Sequence, residues 1–225
     1  VYKRQVFAGP GEIRIRNYAS AVNPTDIVSR SGLISQFRKD FPLPSVPGMD
    51  ISGIVDQVGE GVETGINIGD KVMGMVIPNE LHGAYREQII LNQFAVVKNP
   101  EGYSFVESST LPMNGLTARL SLDLLNLNKE QVLAVTGGPG AYGGYVIQLA
   151  KADGLTVIAD ANENDIQLLN KLGADHIIPR GENFVEKIKE VFPEGVDGIA
   201  DGALLNEKAI DAVKDNGSFT SVRGF

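Results

Sequence analysis

The sequence predicts an α/β protein of two domains, a small β-rich barrel followed by an open, doubly wound parallel sheet. Three observations support this fold. Short strand patterns bounded by glycines fill the chain as far as Pro100, strand and helix patterns alternate after residue 131, and a glycine-rich turn joins the first strand of that second part to its helix. We place the boundary near Pro112, with domains at residues 1–112 and 113–225.

The composition indicates a soluble globular protein. The 225 residues are 43% hydrophobic, and the formal net charge of -8 argues against nucleic acid or an anionic membrane surface as a partner. The chain has no cysteine, which excludes disulfides, thiolate zinc sites and cysteine nucleophiles. It shows neither a signal peptide nor an apolar stretch of membrane-spanning length, so we expect a cytoplasmic location.

In the first domain, short strands are separated by turns. Residues 11–21 are predicted to form a strand because Ile13 and Ile15 alternate with arginines. Pro24 then ends that strand at a turn or a helix start. Residues 41–48 are predicted to be an ordered loop or flap, since three prolines there lack a backbone donor. Further strands are predicted at residues 51–58, 70–76, 84–91 and 94–98.

Two helical patterns, at residues 105–111 and 113–127, lie on either side of the domain boundary. Strands of a parallel sheet are predicted at residues 132–136, 156–160, 176–178, 198–200 and 218–222. Helices are predicted between them at residues 143–152, 163–172, 183–191 and 206–214, and Gly173 is the expected C-cap of the second.

The glycine-rich turn lies within residues 131–151. An apolar run enters it, and an apolar stripe at helical spacing follows. Gly137, Gly140 and Gly143 form the pattern G-x-x-G-x-x-G, which suits a tight turn, a bare backbone next to a pyrophosphate and close packing of helix on strand. The helix start then offers unpaired N–H groups to an anion. Glycine turns also occur in folds that bind no nucleotide, so the strand and helix context carries the prediction.

Asp160 ends the second predicted strand, 23 positions after Gly137. At this spacing a carboxylate accepts hydrogen bonds from the adenosine ribose of NAD, and it would repel the 2′-phosphate of NADP. The alternative is a solvated loop aspartate. Asn162 and Asn164 are neutral donors nearby that could serve a phosphate instead, so the choice between NAD and NADP stays open.

Other catalytic motifs are missing from the sequence. Gly143 is not followed by the Lys and Ser/Thr of a phosphate-binding P-loop, and none of the six tyrosines has a lysine four residues on, as a short-chain reductase requires. With two histidines and no cysteine, a catalytic zinc with three protein ligands is not expected. His82, in a turn, and His176, at the start of a strand, are interpreted as structural or solvated.

Several motifs, in a fixed order, resemble the medium-chain dehydrogenase/reductase superfamily, specifically its zinc-independent quinone-oxidoreductase-like branch. These motifs are GPGEIRIRNYASAVNPTD, PGMDISGIVDQVGEGV, GDKVMGM, GAYREQIIL, LPMNGLTA, VTGGPGAYGGYVIQLAK and LGADHII. The resemblance implies a GroES-like substrate domain, a Rossmann domain that binds NADP(H) or NAD(H), and an active site in the cleft between them. It further implies hydride transfer to a small-molecule quinone or α,β-unsaturated carbonyl, no zinc, and a homodimer at full length.

The resemblance also assigns roles to individual residues. Asn23 and Asp26 would shape the nicotinamide and substrate side, although Asn23 and the proline after it also suit a plain turn. No residue stands out as a general acid, so the proton would come from water in the cleft or from a hydroxyl such as that of Tyr142, which has the alternative of simply packing within the glycine turn. The cofactor-binding residues it implies, some of them already considered above, are Asn114, Thr117, Thr136, Gly137, Gly140, Ala141, Tyr142, Gly143, Asp160, Asn162, Ser221, Val222, Arg223 and Gly224. Thr117 has the alternative of being a helix residue that packs at the domain boundary.

The chain also departs from the family pattern. Zinc-dependent members carry Gly-His-Glu where this chain has Gly48-Met49-Asp50, and some quinone oxidoreductases have a tyrosine where it has Val28. Five predicted strands, where the dinucleotide fold typically has six, and a first residue other than methionine suggest a fragment. A redox-inactive dinucleotide-binding or structural protein on the same scaffold is the alternative function.

Overall fold

The computed structural model describes residues 7–33, 45–78 and 82–222. The chain divides into two compact units, Val1–Met113 and Asn114–Phe225. The division lies one residue after the boundary that we placed from the sequence.

The first unit is built on a five-stranded antiparallel sheet, with the strands in the order β4-β1-β2-β3-β5. Its strands are β1 (Glu12–Ala19), β2 (Asp50–Val58), β3 (Lys71–Met75), β4 (Gln88–Asn92) and β5 (Val96–Lys98), and its helices are α1 (Pro24–Ser31) and α2 (Phe105–Ser108). Alternation in β1 buries Ile13 and Ile15 completely, as expected for a strand with one buried face. The β-rich first domain is therefore confirmed.

Two strands of this unit begin two or more residues later than predicted. The strand expected over 84–91 begins at Gln88, because Ala84 and Tyr85 instead donate backbone hydrogen bonds to Gly48 and Pro47. The strand expected over 94–98 begins at Val96, after a 3₁₀ turn at Gln93–Ala95. The first difference arises from bonds to a distant segment and the second from a local turn, and hydropathy reports neither.

The second unit contains a five-stranded parallel sheet, with the strands in the order β10-β9-β6-β7-β8. Its strands are β6 (Val132–Thr136), β7 (Thr156–Ala161), β8 (His176–Pro179), β9 (Val196–Asp201) and β10 (Val213–Ser221). Its helices are α3 (Pro112–Leu125), which begins at the boundary, α4 (Ala141–Ala152), α5 (Ile166–Leu172), α6 (Phe184–Val191) and α7 (Glu207–Ile210). Apolar clusters cover both faces of the sheet, so the doubly wound α/β prediction is confirmed.

The helix predicted over 206–214 is wrong in its second half. Helix α7 ends at Ile210, and β10 begins at Val213. Val196 donates a backbone hydrogen bond to the carbonyl of Ala212, and Val213 pairs in register with Val196. The chain therefore enters the sheet before the predicted helix could end. By contrast, Gly173 caps α5 in the left-handed conformation, as predicted.

No helix within the described ranges is both long enough and apolar enough to cross a membrane.

Candidate functional site

The candidate site of the second unit lies at the carboxyl edge of the parallel sheet. From β6 the chain continues to β7 and β8 on one side, and then crosses to β9 and β10 on the other. Open α/β sheets bind ligands in the crevice where the winding reverses. The turn after β6 and the loop after β9 flank that crevice here.

Two glycines of the turn after β6 are required by packing. Gly137 adopts a φ of 66°, and a methyl group built on it would lie 3.3 Å from the backbone nitrogen of Ala203 in the loop after β9. A methyl group on Gly143 would collide with the carbonyl of Gly137 and lie 2.8 Å from Cα of Gly138. These glycines allow α4 and the loop after β9 to approach the turn closely.

Gly140 has a different environment, because it is the N-cap of α4. Its φ of -72° and ψ of 166° suit any residue, and no described side chain caps the helix. A methyl group there would have one close neighbour, the Gly137 carbonyl at 3.1 Å. The first amides of α4 are thus left open beside a space that a side chain would fill, which fits the pyrophosphate of a dinucleotide.

Asp160 lies at the end of β7 with its carboxylate engaged on both oxygens. Oδ1 accepts a hydrogen bond from the Gly137 nitrogen at 2.6 Å, and Oδ2 accepts one from Nε of Arg180 at 2.7 Å. The Asp160 side chain is 6% exposed. This arrangement holds the glycine turn against β7 and contradicts the interpretation of Asp160 as a solvated loop residue. Its role as a ribose acceptor stays a prediction, for a carboxylate that already has a protein donor on each oxygen.

Thr136, expected to contact the cofactor, is buried and points elsewhere. Its hydroxyl donates to Oδ1 of Asp201 at 2.5 Å and accepts from the Ala203 nitrogen at 3.0 Å. Asp201, also buried, accepts from the nitrogens of Leu205 at 3.1 Å and Asn206 at 2.8 Å. We therefore assign Thr136 to the support of the loop after β9.

Helix α3 places its candidate residues on the face that meets α4. Ser121 lies one helical turn beyond Thr117, and it accepts a hydrogen bond from the Tyr142 hydroxyl at 2.7 Å. Asn114 and Thr117 are half-buried on the preceding turns of that face. Burial raises the pKa of Tyr142. A bonded phenol with a raised pKa is a poor proton donor, so the structure favours the packing interpretation of this residue.

The other expected cofactor residues lie near the same edge. Ala141 and Asn162 are exposed at the starts of α4 and of the 3₁₀ turn after β7. Ser221 ends β10, and its hydroxyl contacts Oδ1 of Asn206 at 3.3 Å. The backbone nitrogen of Val222 donates to the carbonyl of Asp201 at 3.3 Å. Arg223 and Gly224 lie outside the described residues.

The expected catalytic residues of the first unit form a buried polar cluster. Asn23 and Asp26 make a capping box at the start of α1, where the Asn23 nitrogen donates to Oδ2 of Asp26 at 2.9 Å. Oδ1 of Asp26 accepts from the Gly48 nitrogen at 2.9 Å, and Oδ2 also accepts from the Tyr85 hydroxyl at 3.2 Å. Asp50 accepts from Nδ2 of Asn23 at 2.6 Å. Asn23 and Asp26 therefore have a structural role in holding α1, beside any role toward a substrate.

Two groups of this cluster have perturbed acidities. Burial raises the pKa of Asp50, and the nearby Asp26 charge adds to the effect. Burial, followed by the Asp26 charge, raises the pKa of Tyr85 to about 12. Tyr85 is thus neutral at physiological pH and remains a donor to Asp26.

The side chains that could bind a metal ion lie apart from one another within the described ranges. Among the described residues, no three His, Asp or Glu side chains come together in a way that could hold an ion. Burial lowers the pKa of His82, and the His176 ring packs edge-on against Phe192 with 5.2 Å between ring centroids. The interpretation of His176 as structural agrees with that packing.

Sequence reasoning missed several residues that organise these sites, namely Tyr85, Ser121, Arg180 and Asp201. A charged residue two positions after the predicted strand 176–178 was a usable signal for Arg180, because the carboxyl ends of parallel strands share one edge. Asp201 had the same signal after strand 198–200. Tyr85 had none, since its partner is far away in the sequence.

Comparisons with known proteins agree with this architecture. The family profile described as "Alcohol dehydrogenase GroES-like domain" matches residues 9–101, and the one described as "Zinc-binding dehydrogenase" matches residues 141–223. Together they cover most of both units.

Three relatives illustrate the similarity. The chain is 34% identical to 2-methylene-furan-3-one reductase of Solanum lycopersicum, over 95% of this chain and 55% of that protein. It is 29% identical to "NADPH-dependent alkenal/one oxidoreductase, chloroplastic" of Arabidopsis thaliana, again over 95% and 55%. The solved quinone oxidoreductase from Coxiella burnetii superposes with a TM-score of 0.80 at 31% identity, covering 97% of this chain and 69% of that one. The chain spans about half the length of these two curated relatives.

Proposed function

Because the chain belongs to the medium-chain dehydrogenase/reductase superfamily, we propose that the protein is an NAD(P)H-dependent oxidoreductase that reduces a quinone or an α,β-unsaturated carbonyl without a metal. The observation that carries the proposal is the open start of α4 beside Gly140, at the point where the parallel sheet reverses its winding. The names of the relatives, which include an enone reductase and a quinone oxidoreductase, support the acceptor class.

In this proposal the protein mainly binds and orients. The first amides of α4 and the bare backbone at Gly140 hold the pyrophosphate, and the Asp160 contact to Gly137 keeps the turn in shape. Asn114 and Thr117 are assigned to the nicotinamide half. The reduced nicotinamide supplies the hydride, and the rate depends on how closely the acceptor carbon is held to it.

We assign the proton to water rather than to a side chain. Tyr142 is bonded to Ser121 and has a raised pKa. Asp26 and Asp50 are buried and hydrogen-bonded within their own cluster. None of these groups has a free proton positioned for a substrate, and a quinone or enone that has accepted a hydride can take its proton from solvent.

The proposal is tested by mixing the purified protein with NADPH or NADH and then adding benzoquinone or methyl vinyl ketone. We expect loss of reduced-nicotinamide absorbance that depends on both protein and acceptor. An acceptor-free mixture measures the background, and Arg119→Gln is a control variant because Arg119 pairs with Asp123 and Asp153.

The open start of α4 is equally compatible with a second function, a redox-inactive protein that binds the dinucleotide without turning it over. Both functions predict cofactor binding, and only the first predicts acceptor-dependent oxidation. Binding without turnover across a series of quinones and enones would therefore overturn the reductase and support the second function.

A further inference from the structure

We infer that Arg180 makes the adenosine end of this site selective for NADPH, by binding the 2′-phosphate that NADH lacks. The inference rests on the proposed function, because it needs a dinucleotide at the start of α4. It concerns a residue that sequence reasoning did not single out, and it reverses the expectation that Asp160 favours NAD.

Asp160 and Arg180 lie side by side at the carboxyl edge of the sheet. Asp160 is in register with Ile178 across β7 and β8, and Arg180 directly follows β8. Asp160 also contacts the nitrogen of Gly137 at 2.6 Å. The guanidinium is thereby tied to the same edge of the sheet as the glycine turn, on the side where a Rossmann fold places the adenosine ribose.

The charge of the Asp160 carboxylate is paired with the charge of the Arg180 guanidinium. Nε of Arg180 lies 2.7 Å from Oδ2 of Asp160, whose side chain is 6% exposed. The carboxylate charge is therefore balanced, so the repulsion that a lone Asp160 would exert on a 2′-phosphate is offset. Oδ1 accepts from Gly137 and Oδ2 from Arg180, and the side chain is almost fully buried, so little of the carboxylate is accessible to a ribose hydroxyl.

The Arg180 guanidinium has hydrogen-bond donors that the ion pair with Asp160 does not use. Arg180 uses Nε for Asp160, and its two Nη groups have no hydrogen-bond partner among the described residues. The side chain is 39% exposed. The Nη groups carry four N–H donors in a planar fork, a geometry that matches phosphate oxygens. An arginine held at its inner nitrogen and open at its outer ones is pre-organised for an anion.

The neighbouring charges do not reverse this conclusion. Glu163 and Glu182, on segments next to Asp160 and Arg180, are exposed, so water and salt screen their charges. Asn162, also exposed, is a neutral amide next to the end of β7. Arg180 is thus the cation that the fold itself fixes by an ion pair at this edge.

The experiment measures binding rather than turnover. Isothermal titration is carried out with NADPH and NADH, and with adenosine 2′,5′-bisphosphate and adenosine 5′-monophosphate, which isolate the adenosine half. We expect the native protein to bind each 2′-phosphorylated ligand at least about tenfold more tightly than its partner. This preference should weaken as salt is raised.

Arg180→Gln should remove most of that preference and leave the affinities for NADH and the monophosphate unchanged or higher. Arg180→Lys keeps the positive charge and loses the planar guanidinium, so it should retain an intermediate preference for the 2′-phosphorylated ligands. If the glutamine variant does not fold, the lysine variant provides the test of the inference. Arg119→Gln is the matched control, since Arg119 is 37% exposed and also pairs with an aspartate. It should change none of the four affinities.

Equal affinity of the native protein for the phosphorylated and unphosphorylated ligands would overturn the inference and leave the proposed function intact. A preference that survives in Arg180→Gln would do the same. Failure of the native protein to bind any of the four ligands would overturn the proposed function together with the inference.

Discussion

Nδ2 of Asn23 donates a hydrogen bond to Oδ2 of Asp50 over 2.6 Å, and both residues are buried. The other oxygen of Asp50 accepts from the Met113 nitrogen at 2.7 Å. The Asp50 carboxylate therefore connects the start of α1 to the end of the first unit. Since burial raises its pKa, this connection has a defined pH dependence.

The first prediction concerns that dependence. The folded-state pKa of Asp50 lies above the ordinary value of 3.8, so its contribution to stability is present below that value and is lost as pH rises through the raised pKa. Asp50→Asn cannot ionise and still offers an acceptor to Met113. We expect its free energy of unfolding to rise relative to the native protein as the pH is raised from below 3.8 through the raised pKa of Asp50.

Urea unfolding at a series of pH values measures this difference. Asp50→Ala is the control, because it removes the acceptor that Asp50 offers to the Asn23 amide and to the Met113 nitrogen. It should be less stable than Asp50→Asn by about 1–3 kcal/mol per group at every pH, since neither variant ionises at this position. A difference between the native protein and Asp50→Asn that does not vary with pH would contradict the prediction.

The second prediction concerns Gly48, which precedes Met49 and Asp50. Its φ is 101°, and a methyl group built there would lie 2.5 Å from Cδ1 of Tyr85 and 2.9 Å from Cβ of Ala84. We expect Gly48→Ala to lower the free energy of unfolding by about 2–4 kcal/mol, through backbone strain and collision together.

Gly61→Ala separates the two causes. Gly61 also has a positive φ, of 72°, but no atom lies within 4 Å of the added methyl group. Gly61→Ala should therefore lower the free energy of unfolding only by the cost of the backbone strain, about 1 kcal/mol. Equal losses in the two variants, measured by denaturant unfolding, would rule out the collision with Tyr85.

The third prediction uses opposite effects on folding and binding. Gly140→Ser places a good N-cap at the start of α4, in a conformation that serine adopts readily. We expect the free energy of unfolding to change by less than about 1 kcal/mol, because the cap offsets the contact with the Gly137 carbonyl. NADPH and NADH should bind at least about tenfold more weakly, because the hydroxyl occupies the amides that the pyrophosphate needs.

Gly143→Ala provides the contrast. Its methyl group would lie 2.8 Å from Cα of Gly138, so it should destabilise the fold itself. Thermal unfolding and dinucleotide titration of both variants are the measurements. Unchanged dinucleotide affinity in Gly140→Ser would show that the start of α4 is not the phosphate site.

The fourth prediction concerns the loop after β9. Leu204 has a φ of 60° and is 36% exposed, so it carries backbone strain with little packing in return. We expect Leu204→Gly to raise the free energy of unfolding by about 0.5–1 kcal/mol. Leu168, 41% exposed and within α5, is the matched control, and Leu168→Gly should lower stability by about 1 kcal/mol. A loss in both variants would mean that Leu204 packs more than its exposure indicates.

Much of the fold was predictable because its signals are local. The alternation of Ile13 and Ile15 gives β1, and the apolar run before Gly137 gives β6 with the bounds that we predicted. The helix expected over 206–214 failed where a non-local bond decided the outcome, the one from Val196 to the carbonyl of Ala212.

The positions of the site residues along the chain were predictable from the sequence, but the partners of their side chains were not. Gly137 and Gly140 lie where the spacing placed them, one in the turn and one at the start of α4. The side chains of Thr136 and Asp160 lie where expected along the chain, but each is turned toward a protein partner, Asp201 for the first and Arg180 for the second.

The sequence by itself determined the order of strands and helices, the glycine turn at the end of β6, and the resemblance to a dehydrogenase family, because hydropathy period, glycine spacing and motif order are all properties of neighbouring residues. Only the tertiary structure decided which polar groups are committed to one another. Asp160 meets Arg180 because β7 and β8 lie side by side, although the two residues are 20 positions apart. The glycine turn that the sequence marked as a phosphate site is thereby linked through Asp160 to a cation, which the linear pattern did not contain.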